Sequence, residues 1–75
     1  MNAKQKKEVQ EWITTLEVIK TKAGDMMTDE ECKFDNMPEG LQESEKGDAI
    51  QEAIDHLDTT INSLEEALDE LNEII

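Results

Sequence analysis

From Ile50 onward, large apolar residues recur at alternating steps of four and three: Ile50, Ile54, Leu57, Ile61, Leu64, Leu68, Leu71 and Ile75. On a helix these positions form one unbroken stripe, so this ladder constrains the chain more than any other feature. Ile54, Ile61, Leu68 and Ile75 take heptad position a; Ile50, Leu57, Leu64 and Leu71 take d. Ala53, Thr60, Ala67 and Ile74 fall at g and widen the stripe. A stripe of this width fits a helical bundle better than a bare two-stranded coil.

The helix carrying this stripe is expected to run from about 45 to 75, a rod of roughly 46 Å. Ser44 is its candidate N-cap, and Glu45 suits the first turn, where a negative charge meets the positive end of the helix dipole. Gly47 continues the a row backwards and would let another backbone approach closely. The N-terminal segment has the same period, less cleanly: Val9, Trp12, Leu16, Ile19, Ala23 and Met26, with Ile13, Lys20 and Met27 on its flank. This places Trp12 in the core. Gly24 either ends that helix as its C′ residue or interrupts it at a cost of about 1 kcal/mol. Thr28 and Glu31 match a capping box that would restart it. The first helix is therefore expected over 3–23, with helical structure resuming or continuing to about Asp35.

Pro38 disfavours the α conformation at Met37 and marks the reversal. Asn36 is placed to cap a short turn opened by Pro38 and closed by Gly40, with Phe34 expected to anchor the corner on Leu41. Residues 1–75 then form one all-α domain, an antiparallel helical hairpin connected by residues 35–47. Helix one offers too few large residues to cover the stripe of helix two. Self-association into a helical bundle is expected, a dimer being the simplest.

The chain carries a formal charge of −13, unevenly spread. Residues 1–22 sum to +2 and residues 23–75 to −15. Such a balance disfavours nonspecific binding to nucleic acid or to an anionic membrane. It suits a basic protein surface. Glu52, Asp55, Glu66, Asp69 and Glu73 lie on one side of helix two and form the candidate partner-binding face. Part of the charge has an internal use as well, since the hairpin brings Lys4, Lys6 and Lys7 toward the acidic far end of helix two. No apolar run nears the ~20 residues of a bilayer span, and no apolar segment follows the first lysines as in a signal peptide. One cysteine, Cys32, suits a reducing compartment, so a cytoplasmic location is expected.

Signals for catalysis are sparse. His56 is the single histidine and falls at c, a solvent position. Glu52 four residues earlier makes a pair, but not a Glu-x-x-His metal motif. There is no HExxH, no phosphate-binding glycine loop and no EF-hand. Nothing marks Cys32 as a nucleophile. No enzyme activity, metal or cofactor is implied.

The stretch FDNMPEGLQESEKGDAIQEAIDHLD, residues 34–58, resembles a family of small, acidic, uncharacterised phage and prophage proteins. Their signature is an Asn-Leu-Pro-Glu-Gly-Leu-Gln-like turn, then Ser-Glu-Arg-Gly, then a long acidic helix. The matching residues are Asn36 to Gln42 and Ser44 to Gly47, with Met37 in place of leucine and Lys46 in place of arginine. The resemblance implies a viral setting in which small acidic proteins bind and block a host protein, such as a defence nuclease or another DNA-binding protein. An alternative expectation is a sponge for a signalling nucleotide. Turns of adjacent chains would then hold a phosphate through Gln42, Ser44, Lys46 and Gly47, with backbone amides at the start of helix two. A third is a structural or scaffold subunit of a virion.

Overall fold

The computed structural model describes all 75 residues. The chain is all-helical: α1 spans Ala3–Asp35, α2 Glu39–Gln42 and α3 Glu45–Ile74. α1 and α3 lie side by side as a hairpin, and the molecule is a rod of 58 × 14 × 12 Å.

α1 begins with a capping box. The Asn2 side chain accepts from the Gln5 amide at 2.8 Å, and Gln5 Oε1 accepts from the Asn2 amide at 3.1 Å. Two orphan donors are thereby satisfied reciprocally. The helix then runs unbroken through Gly24 to Asp35, the continuous one of the two expected courses, and does not stop near residue 23. No glycine adopts a positive φ, so Gly24 makes no C-terminal cap. The Thr28 hydroxyl donates to the Gly24 carbonyl at 3.1 Å, one turn back along the same helix, rather than capping a new one. The cost of one internal glycine is about 1 kcal/mol, too little to break a helix held on both sides by packing residues.

The corner also differs in detail from the expectation. Asn36 closes α1, its amide donating to the Cys32 carbonyl at 3.0 Å, and it does not cap α2. Pro38 precedes the single turn of α2, and Gly40 lies inside that turn. Ser44 is the N-cap residue of α3, as its sequence position suggests, but its hydroxyl donates to the Leu41 carbonyl instead of accepting from the helix. Leu41 is exposed; the half-buried Phe34 lies beside Gln51 and Ile54 of α3.

Only Val9, Ile13 and Leu68 form a fully buried core, with Leu16 and Leu71 packed against it. The α1 residues turned toward α3 are Val9, Ile13, Leu16, Lys20, Ala23, Met27, Glu30 and Phe34, all at least half-buried. They step by four and three throughout. The register of α1 is thus rotated by one residue from the expected ladder. Val9, Leu16 and Ala23 belong to both ladders, but Ile13, Lys20 and Met27 replace Trp12, Ile19 and Met26. Lys20 is tolerated at the seam because its ammonium reaches Glu65 at 3.2 Å. An exposed pair of this kind contributes at most about 1 kcal/mol. Lys20–Glu65 is the single ion pair between the helices. Lys4, Lys6 and Lys7 stay exposed and form none, so the expected neutralisation at the open end does not take the form of paired contacts.

Gly47 is buried, and a Cβ there would lie 2.6 Å from the Gln42 carbonyl carbon and 2.8 Å from its Cα. The close backbone approach expected at this position is made with the corner turn. A Cβ at Gly24 would meet nothing within 4 Å. The two glycines therefore predict opposite outcomes in thermal unfolding followed by circular dichroism. Gly24→Ala should stabilise by about 1 kcal/mol through helix propensity alone. Gly47→Ala should destabilise by about 1–3 kcal/mol, because the clash is with backbone that cannot move aside alone. Leu68→Ala, which empties the largest part of the small core, should cost about 2–3 kcal/mol.

Candidate interaction surfaces

The rod has three surfaces with distinct chemistry: the outer face of α3, the corner, and the two flanks of the helix seam. Glu52, Glu66 and Glu73 sit at heptad position f, and Asp55 and Asp69 at b. These two rows are neighbours on a helix and point away from the seam. All five side chains are exposed, and none makes an ion pair. From Glu52 to Glu73 the strip is about 32 Å long. The structure thus brings the five acids onto one accessible strip.

The corner residues are arranged differently. The Gln42 side-chain amide donates to the Phe34 carbonyl at 2.9 Å, tying the end of α1 to α2. The Ser44 hydroxyl is engaged with the Leu41 carbonyl, and Gly47 is covered by Gln42. Lys46 is exposed. Three of the four residues considered for nucleotide binding therefore serve the turn itself. Nearby, Lys33 contacts Glu30 at 2.9 Å. The hydrogen bond to Glu30, reinforced by its charge, holds the Lys33 ammonium above its ordinary pKa. Cys32 is a free, exposed thiol, and no three His, Cys, Asp or Glu side chains are grouped to hold a metal ion. His56 is exposed, as its c position suggests.

The flanks of the seam divide by charge. One groove between the helices is lined by Glu17, Thr21 and Gly24 of α1 together with Asp69 and Asn72 of α3. A second, nearer the corner, is lined by Glu31 and Gln51. Most of these residues immediately follow a seam residue, at position e, so both helices turn their e rows to the same side. Asp58 and Glu65 continue that row on α3. The opposite flank receives the g rows. On α1 these are Trp12, Ile19 and Met26, which are 53%, 44% and 57% exposed; on α3 Ala67 is exposed and Ile74 is 40% exposed.

Sequence reasoning put Trp12, Ile19 and Met26 in the core, and their exposure corrects that placement. A signal for a second surface was nonetheless present. α1 has apolar residues in three rows, a, d and g, whereas contact with one neighbouring helix consumes only two. No helix is long and apolar enough to cross a membrane. The sequence matches no family model, no curated protein and no solved structure.

Proposed function

We propose that the chain is a non-enzymatic interaction protein of phage type. Its acidic helical face binds a basic surface of a host protein and blocks it. The observation that carries this reading is the strip Glu52, Asp55, Glu66, Asp69 and Glu73, exposed along one side of α3 with none of the five ion-paired. Unpaired carboxylates in a row create a field that steers a basic partner onto the rod. DNA carries a charge every ~1.7 Å of axis, far more densely than this strip. The target is accordingly a protein whose basic site tolerates a sparser match, such as a defence or DNA-binding protein of the host cytoplasm.

The resemblance of residues 34–58 to phage and prophage proteins supports the host setting. The thin core of the hairpin supports a self-associated helical bundle, with a dimer as its simplest form. The nucleotide-sponge reading has less behind it, since Gln42, Ser44 and Gly47 already serve the corner.

Charge reversal tests the acidic face. The triple variant E66K/D69K/E73K should keep its helical circular dichroism, because all three side chains are exposed and none is ion-paired, Asp69 only bordering the groove between the helices. It should lose capture of the basic partner that the native chain retains from host lysate. Native capture should itself weaken steeply between about 0.05 and 0.5 M salt, as screened charges require. Capture that survives both the reversal and the salt refutes the reading.

A further inference from the structure

We infer that the apolar flank of the hairpin is where a second copy of this chain docks, face to face and running in the opposite direction. This inference rests on the proposed self-association and assigns it to a surface. The flank is built from Trp12, Ile19 and Met26 of α1 with Ala67 and Ile74 of α3, all of them exposed in the single hairpin. In a chain of twenty acidic residues, neither g row contains one. The acids lie on the opposite flank, on the outer faces of both helices and at the corner. Random placement of so many carboxylates would not leave a clean stripe the length of the rod. Between its ends the stripe carries no charge in either g row, with large side chains from α1 and mostly small ones from α3, which suits a desolvated helix contact.

The exposed area points the same way. A folded monomer of 8.5 kDa exposes about 4,700 Å² by the scaling of known proteins. The hairpin exposes 5597 Å². The excess, about 900 Å², is spread over a rod 58 × 14 × 12 Å in extent, and laying a second rod along its side reduces it.

The charges at the ends of the stripe select the occupant and its direction. Lys46 and Lys33, the latter engaged with Glu30 of its own helix, occupy the g rows at the corner end, with Asp29 beside them at position c. Glu8 and Glu70 border the stripe toward the open end, at position c. A two-fold axis across the middle of the stripe brings the corner end of one copy over the open end of the other. Lys46 of each copy then lies toward the glutamates of the other, once at each end. A parallel pairing would oppose lysine with lysine. The antiparallel arrangement is self-complementary, as a closed two-fold interface requires. It yields a four-helix bundle with Trp12 inside and the acidic strips of both copies outward, available to a basic partner.

Three measurements on the full chain test this. Sedimentation equilibrium should give a mass near twice 8.5 kDa at micromolar concentration. Because each copy carries −13, dimerisation should tighten as salt is raised, the reverse of the partner interaction. Trp12, the only tryptophan, should shift its emission to the blue as the wild-type chain is concentrated, a readout that needs no variant. The double variant I19E/M26E should weaken self-association at least 100-fold, whereas E66K/E73K on the outer face should not. A monomer with solvent-exposed Trp12 emission at every concentration overturns both the self-association and its surface. A dimer of unchanged affinity in I19E/M26E, or one that forms without any Trp12 shift, overturns the surface and leaves self-association standing.

Discussion

The structure depends on a contact between very few side chains. Val9, Ile13 and Leu68 are the only side chains more than nine-tenths withdrawn from water, and they set how α1 is rotated about its own axis. Once Ile13 faces Leu68, Lys20, Met27 and Phe34 must follow it into the seam, and Trp12, Ile19 and Met26 must face out. The rotation that buries the small core thus also creates the second apolar surface. Both are consequences of a helix with three apolar rows meeting a partner that covers two.

The same rotation sorts charge. With the e rows on one side and the g rows on the other, the hairpin has an acidic flank and an apolar one. Acidic residues on the exposed side remain fully hydrated, and their mutual repulsion is relieved by distance and salt. A surface so divided lets one small domain make two kinds of contact without competition: a dry, packed one and a wet, steered one. The lone ion pair across the seam, Lys20–Glu65, lies on the acidic side and leaves the apolar side free of charge along most of its length.

How much of this was legible in the sequence follows from particular residues. α3 was readable because a single ladder, Ile50 to Ile75, fits it. α1 was ambiguous because two ladders share Val9, Leu16 and Ala23. Hydrophobicity favours the ladder with Trp12 and Ile19, since the other contains Lys20; the seam nevertheless takes the second, which alone extends through Met27 to Phe34. Gly24 resembled a stop, yet a glycine ends a helix only when its backbone turns left-handed, and nothing beyond it forces that. Gly47 was legible because its place in the a row left no room for a side chain. The five acids of the outer strip were legible as a face. The division between the flanks was not, because it depends on which way α1 is turned.

The uneven distribution of packing along the rod has a mechanical consequence. The buried side chains cluster at the open end, and the Gly47–Gln42 approach fixes the corner. Between them, the α1 side of the seam offers Lys20, Ala23 and Gly24, which are small or polar. Ordinary helical hairpins are stiffest near the turn and fray progressively away from it. This one is clasped at both extremities. It therefore resembles a bow more than a pair of tongs: opening it from the free end must first undo the buried cluster, and opening it from the corner must first undo the Gly47–Gln42 approach.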